Sequence, residues 1–343
     1  DPIFFTSQCT KCFDILPELE ALSRAYAVRL APNIGPNRDI PAPDVNTNPT
    51  IMDWMLDEYE IIVGEKRPAT FTGKSIEKGG SKGRTEATGR GGVIIMQRIL
   101  KAIQNDTNLK GKKPQDITIA IQGFGNVGLY FGILAQELGY KIVAVSDSKG
   151  GIIKSKKVKG KEQKVLEVQI EELGPLDIRL VSECKKEKGS LSGCYCSGGV
   201  CDLNGGTLIT NGELLELPVD ILIPSALENV IDSENMRNIR ARIIIEMANG
   251  PITEEAYEYL SKKGVVIVPD VLANSGGVTV SYLEWVQGKQ GYWWNEEEVN
   301  TKLVSLMEKA TDDIIAHMKN RKISMKQSAF EVAIKRIAGG LAT

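Results

Sequence analysis

The stretch that most restricts this chain covers residues 117–147, ITIAIQGFGNVGLYFGILAQELGYKIVAVSD. It opens with an apolar, β-branched run at 117–121, which reads as a strand buried on both faces in a parallel sheet. Gly123, Gly125 and Gly128 follow in the spacing G-x-G-x-x-G, and residues 129–138 read as a helix stopped by Gly139. A second buried strand at 141–146 ends on Asp147, nineteen residues after Gly128. A G-x-G-x-x-G alone is a weak signal, since glycine-rich turns are common. Strand, glycines, helix, second strand and acid in this order make a strong one, and they point to a dinucleotide site. The first glycine makes the tight turn, the second admits the pyrophosphate to the backbone, and the third lets helix and strand pack closely. The helix N-terminus, with Asn126, Val127 and Gly128, faces the phosphates, and the Asp147 carboxylate accepts hydrogen bonds from the adenosine ribose.

A chain of 343 residues is long enough for two domains, each with a core of its own. Its 42 basic and 44 acidic residues leave a formal charge of −2, which gives no footprint for nucleic acid or an anionic membrane surface. There is no apolar run of transmembrane length and no signal-peptide pattern, so the expected compartment is the cytoplasm. The one histidine, His317, lies in a polar helical stretch and reads as a solvent-exposed helix residue, which leaves imidazole catalysis without a candidate. Six cysteines form two groups, Cys9 and Cys12 in C-T-K-C, then Cys184, Cys194, Cys196 and Cys201 in a Gly/Ser-rich loop. The second group has no zinc spacing, and the expectation is reduced surface thiols with no metal site.

Taken in order, residues 18–28 are an amphipathic helix, and 31–49 form a loop rich in Pro, Asn and Asp. Such a loop is either a connector or a proline-stiffened way to present a catalytic group, here an aspartate. Residues 50–59 are helical, with Trp54 and Met55 in the core. The glycine-rich stretch 73–92 reads as a hinge bordering a cleft, and 93–103 as the helix leading into the dinucleotide strand. The run after Asp147, from Lys154 through Lys164, reads as a solvated excursion with some capacity for a ribose 2′-phosphate. Further buried strands at 219–224, 241–246 and 265–268 each precede a polar turn, bringing Asn229, Asn249 and Asn274 to the carboxyl ends of strands, where open α/β sheets bind ligands. Residues 300–341 read as amphipathic helix.

The segments PAPDVNT (41–47), GGSKGRTEATGRGG (79–92), QGFGNVG (122–128), VAVSDSKGGI (143–152), EMANGPIT (246–253) and VPDVLANSGGVTVSYLEWVQ (268–287) resemble those of the glutamate/leucine/phenylalanine/valine dehydrogenases, and within them the glutamate dehydrogenases. The resemblance implies a role for each matched position. Asp44 matches the aspartate that handles protons while ammonia and water exchange at the α-carbon. Arg84 matches a substrate-binding arginine, and Ser281 the serine that hydrogen-bonds the side-chain carboxylate of glutamate. Thr88 and Asn274 match residues that hold the nicotinamide carboxamide, and Asn249 one that contacts its ribose. Ser148, next to Asp147, and Ala226, in the SALEN turn, join Gly123, Gly125, Gly128 and Asp147 on the cofactor.

The expected fold is α/β, with a doubly wound Rossmann-type dinucleotide-binding domain at 84–323 and an incomplete α/β substrate domain at 1–83, onto which 324–343 pack back. The expected reaction is reversible NAD(P)-dependent oxidative deamination of L-glutamate to 2-oxoglutarate and ammonia, in a homohexamer when full length. NAD and NADP stay open, because Asp147 opposes a 2′-phosphate while Ser148 and Lys149 suit one. In the family the segment carrying the catalytic lysine lies before the position of Asp1, with a second, substrate-binding lysine further upstream. The expectation for these 343 residues is therefore cofactor binding without turnover. Rival readings are a dehydrogenase of another amino acid, a catalytically impaired dinucleotide-binding fragment, and a metal-binding module centred on the cysteines.

Overall fold

The computed structural model describes residues 15–44, 46–103, 109–155, 169, 172–202 and 206–341. Cys9, Cys12 and most of the lysine-rich run lie outside the described residues. In chain order the first elements are α1 (Ile15–Leu30), α2 (Pro49–Val63), α3 (Ala87–Ile103), β1 (Thr118–Gln122), α4 (Asn126–Glu137), β2 (Lys141–Asp147), β3 (Gly150–Ser155) and β4 (Leu173–Gly174). Then come α5 (Ile178–Lys188), β5 (Tyr195–Ser197), β6 (Val200–Asp202), β7 (Thr207–Ile209), α6 (Asn211–Leu215), β8 (Ile221–Pro224) and β9 (Ile243–Ile245). The last are α7 (Glu254–Lys262), β10 (Val266–Val268), α8 (Asp270–Ala273), α9 (Gly276–Gln290), α10 (Glu296–Arg321) and α11 (Met325–Leu341). These fall into two compact units, residues 1–84 with 280–299, and residues 85–279 with 300–343. The segment 280–299 thus joins the first unit, which a single cut near residue 84 did not foresee.

The first unit is built on α1 and α2. Asn48 caps α2, its side chain accepting the Ile51 N–H at 3.1 Å, Pro49 occupies the first turn, and Gly64 closes the helix at φ 74°. One face of α2 places Met52, Met55, Leu56 and Tyr59 against Ala27, Ile34 and Phe71. Residues 280–290 of α9 are woven into the same unit. The Trp285 indole donates to Pro36 O at 2.9 Å, the Gln287 amide donates to Ser81 Oγ at 2.9 Å, and Gly288 lies so close to Ala69 that a Cβ would sit 3.0 Å from its backbone. Beneath them Lys74 and Glu284, both fully buried, form an ion pair at 2.6 Å, and Glu284 also accepts the Gly73 and Lys74 N–H groups.

The second unit is a sheet in the order β10-β9-β8-β1-β2-β3-β4, with β7 paired to β3. Strands β10, β9, β8, β1 and β2 are parallel, and β3 turns back antiparallel on β2. The chain leaves β1 toward β2 on one side and returns to β8 on the other, so the topological switch point lies between β1 and β8, directly beyond the glycine loop. Asp220, just before β8, is 1% exposed, accepts the Thr118 N–H and hydroxyl, and pairs with Lys112 at 2.7 Å, which locks those two central strands in register.

Several sequence expectations need correction. Helix α3 begins at Ala87, inside the stretch read as a hinge, because its glycines serve close packing. A Cβ at Gly89 would lie 2.6 Å from the Phe131 nitrogen, and one at Gly91 would lie 2.7 Å from the Gly276 Cα. The cysteines of the Gly/Ser-rich loop are not free thiols: Cys184 is bonded to Cys194 and Cys196 to Cys201. The second bond joins directly opposed residues of the β5–β6 hairpin, whose turn residues Gly198 and Gly199 have φ 60° and 84°. The C-terminal stretch is two helices, broken at Lys322 with φ 56°. Residues 324–343, expected on the first unit, group with the second, where Met325 and Ala329 are buried and the Ser328 hydroxyl donates to Ile314 O at 2.7 Å. His317, expected to be solvent-exposed, is largely covered, and its Nε2 lies 2.7 Å from Glu331 Oε2, joining α10 to α11.

Candidate functional site

In the first unit the candidate substrate groups sit on the scaffold around Glu284. Residues 71–74 turn sharply at Gly73, with φ 73°, where a Cβ would lie 2.4 Å from the Pro43 ring. The Thr72 N–H donates to Pro41 O at 3.0 Å, so the PAPD loop is fixed to the Gly73–Lys74 turn. Asp44 stands exposed at the end of that loop, its N–H and carbonyl both bonded to the Thr47 hydroxyl at 2.7 Å. Three residues before Glu284 on α9 is Ser281, 6% exposed, whose hydroxyl accepts from Arg84 Nε at 3.1 Å. Burial lowers the Arg84 guanidinium from its ordinary pKa, and the Glu284 charge opposes that shift. A poorly hydrated arginine beside a serine hydroxyl is a site for an anion with lone pairs to give both, such as a carboxylate.

In the second unit the three glycines do separate work. Gly123 has φ 98°, and a Cβ there would lie 2.8 Å from Ala226 Cβ, while the Ser225 hydroxyl donates to Gln122 O and Gly123 O. At Gly128 a Cβ would lie 1.9 Å from Gly123 O, which makes glycine obligatory. A Cβ at Gly125 would meet nothing within 4 Å, so the backbone there faces open space. No side chain caps α4 at Gly125, which leaves the N–H groups of Asn126, Val127 and Gly128 for a phosphate. Asp147 ends β2, and its Oδ1 accepts the Lys149 N–H at 2.9 Å. An uncapped helix start, an open glycine and a carboxylate at the next strand end fit a dinucleotide's pyrophosphate and adenosine ribose.

Beyond β9 and β10, Asn274 Nδ2 donates to Asn249 Oδ1 at 2.6 Å, so these two predicted residues meet. Asn229 has φ 53° and gives its N–H to Gly250 O at 2.9 Å, which makes it a turn residue. Thr88 lies in the first turn of α3, and Ser148 is exposed beside Asp147. Two supports escaped the sequence reading. Glu246 Oε2 accepts the Asp270 N–H at 3.0 Å, and Asp270 Oδ2 accepts the Gly250 N–H at 2.8 Å, so two acids clamp the Asn249 and Asn274 turns. Burial pushes the Glu246 carboxyl up to about 7. Lys185 is the second: its ammonium lies 3.0 Å from Asp147 Oδ2. The only hint of it was a basic helix after the lysine-rich run.

A sequence profile described as Glutamate/Leucine/Phenylalanine/Valine dehydrogenase matches residues 79–341, and the dimerisation-domain profile of the same group matches 15–61. The chain is 41% identical over 321 residues to an NADP-specific glutamate dehydrogenase of Synechocystis sp., covering 94% of this chain and 69% of that protein. It is 40% identical over 321 residues, with the same coverage, to an NAD-specific glutamate dehydrogenase of Staphylococcus aureus. The hetero-hexameric glutamate dehydrogenase of Thermus thermophilus, in its Leu-bound form, superposes with a TM-score of 0.78 at 29% identity, covering 94% of this chain and 68% of that one. With the glycine loop, the strand order and the residues of the substrate scaffold already in place, the extent of these matches decides the lineage: the chain belongs to the Glu/Leu/Phe/Val dehydrogenase family.

Proposed function

We propose that this chain interconverts L-glutamate and 2-oxoglutarate, releasing ammonia, with NAD or NADP as the hydride partner. The pairing of Arg84 with Ser281 carries the choice of glutamate. A guanidinium and a hydroxyl, held in a poorly hydrated place, are left unsatisfied by an apolar side chain and satisfied by a second carboxylate. The first unit is the substrate-binding part, and the second, with Thr88, Asn126, Val127, Ala226, Asn249 and Asn274 around its glycine loop, is the dinucleotide-binding part.

The bound nicotinamide supplies hydride transfer chemistry. The protein's own groups bind, orient and move protons. Arg84 and Ser281 fix one carboxylate and so set where the α-carbon stands. Asn249 and Asn274 present amides suited to the ribose and carboxamide. Asp44, exposed on a loop braced by Thr47 and Pro43, takes and returns the protons that accompany exchange of ammonia for water at the α-carbon. In the deaminating direction glutamate, water and NAD(P)⁺ give 2-oxoglutarate, ammonium, NAD(P)H and one proton, so a proton acceptor is required near neutral pH. The protein works in the cytoplasm as a homohexamer, and the six-subunit assembly is supported by a relative that is a hetero-hexamer.

The test is a substrate panel. Glutamate is expected to exceed leucine, norvaline and phenylalanine in kcat/KM, and Ser281→Val to narrow its lead over norvaline by about tenfold or more. A higher kcat/KM for leucine in the unmodified protein overturns the reading, and cofactor binding with turnover of no amino acid would favour the rival reading of a catalytically impaired dinucleotide-binding fragment over it.

A further inference from the structure

We infer that Lys185 decides which dinucleotide this chain accepts, neutralising Asp147 and supplying the cation for a ribose 2′-phosphate, so that NADP binds as well as NAD. The inference rests on the dinucleotide reading of the glycine loop and carries it to a residue on another element. Asp147 by itself argues for NAD, because a bare carboxylate at the ribose repels a phosphate. It is not bare. The Lys185 ammonium lies 3.0 Å from Asp147 Oδ2 and 3.2 Å from Phe124 O, and 5.7 Å from the centre of the Phe124 ring. Phe124 is the residue between the first two loop glycines, so the amine bridges the two walls of the adenosine-ribose place, the end of β2 and the glycine loop.

Its presentation is rigid at the root and open at the tip. Helix α5 starts at the cap Asp177, whose side chain accepts the Leu180 N–H at 3.2 Å, and buries Ile178 and Val181. Gln136 of α4 grips that start, accepting the Ile178 N–H at 2.9 Å and donating to Leu176 O at 2.6 Å. Cys184, the residue before Lys185, is bonded to Cys194, which holds the far half of the helix. The Lys185 side chain is 28% exposed, and Asp147 11%. The ammonium is thus kept at the site yet retains room to turn from the carboxylate to an incoming phosphate, and lysine has three donors to divide among them. Lys149, the cation favoured on sequence grounds, sends its ammonium to Gly189 O at 3.1 Å. An ordinary exposed ion pair needs neither the glycine-loop carbonyl as a second acceptor nor the helix clasped by a disulfide.

The experiment titrates the 343-residue protein with NADH, NADPH and the fragments 5′-AMP and 2′,5′-ADP, by nicotinamide fluorescence and calorimetry. The unmodified protein should bind NADH and NADPH with affinities within about tenfold of each other. Lys185→Gln should weaken NADPH and 2′,5′-ADP by roughly 10- to 100-fold, the size of one lost charge-assisted contact, and change NADH by less than about threefold. Lys185→Arg should keep NADPH within about threefold, and Asp147→Ser should weaken NADH while leaving NADPH equal or tighter. Equal losses for both cofactors in Lys185→Gln, no loss for either, or binding of NADH without NADPH by the unmodified protein would each overturn the role of Lys185 and leave the dinucleotide reading intact. Failure of both cofactors to bind the unmodified protein would remove the dinucleotide reading, and this role with it.

Discussion

Glu246→Gln should change how stability depends on pH, and the structure sets the size of the change. Glu246 follows β9, is 2% exposed, and accepts the Asp270 N–H at 3.0 Å. Burial lifts its carboxyl from 4.5 to about 7; the Asp270 N–H opposes this, the Asp270 charge adds to it, Lys326 opposes and Glu254 adds. The folded protein therefore holds a proton that the unfolded chain releases between those values. This raised pKa contributes stability that is complete below the unfolded value and is lost as pH rises through about 7. At about 1.36 kcal/mol per pH unit, the loss across the interval is roughly 3 kcal/mol. Glutamine keeps an acceptor for the Asp270 N–H and has no charge to desolvate. Relative to the parent, the variant should gain roughly 3 kcal/mol between pH 4.5 and 8.5, or about 4 °C in melting temperature if the chain melts as one and about 6 °C if the second unit melts alone. Differential scanning fluorimetry across that range, with urea unfolding at its two ends, measures it. Parallel pH profiles for parent and variant would show that Glu246 is ionised or solvated at no cost, and the reasoning would be wrong.

Other outcomes separate folding from binding. Gly128→Ala places a methyl 1.9 Å from the backbone oxygen of Gly123 and should lower the melting temperature by an overpacking cost of about 3 kcal/mol or more, whereas Gly125→Ala should melt like the parent and bind NADH more weakly. Glu284→Gln leaves the Lys74 ammonium buried without a counter-charge and should cost about 3–5 kcal/mol in the first unit, with Lys74→Met in the same chain restoring much of it. Alkylation followed by mass spectrometry should find Cys184, Cys194, Cys196 and Cys201 unreactive until a reductant is added, and reduction of both bonds should lower stability by up to about 5 kcal/mol, the loop-closure values of about 3 for the Cys184–Cys194 ring and about 2 for the Cys196–Cys201 ring. Four reactive thiols in the untreated protein would restore the sequence expectation.

What was legible in the sequence shares one property: it is written in neighbouring residues. The strands at 118–122, 141–147 and 221–224 follow β-branched runs, and the glycine loop follows its spacing, because burial on both faces and positive φ act residue by residue. Helix α3 starts six residues before the periodic run at 93–103, since Gly89, Gly91 and Gly92 are poor helix formers and are kept helical by what packs on them. The pairing of Lys74 with Glu284, and of Asp147 with Lys185, joins residues far apart in the chain, with no local pattern to announce either. The disulfides are illegible in the sequence for a related reason. Cysteine spacing limits which bonds can close, and only the β5–β6 register sets Cys196 opposite Cys201.

The separation between Lys74 and Glu284 also has a consequence for the order in which the protein comes off the ribosome. Its length is 210 residues. At about 5–20 residues per second, Lys74 waits roughly 10–40 s after its own synthesis for its counter-charge to be made. Through that interval β1, α4 and β2 emerge together and can pair, since they are contiguous. The first-made unit is therefore the last to close: Met52, Leu56 and Phe71 have nascent-chain neighbours, but the α9 segment that completes their unit has yet to arrive. A ribosome that stalls before residue 284 releases a chain whose first unit stays open to chaperones and proteases, however well β1, α4 and β2 have paired.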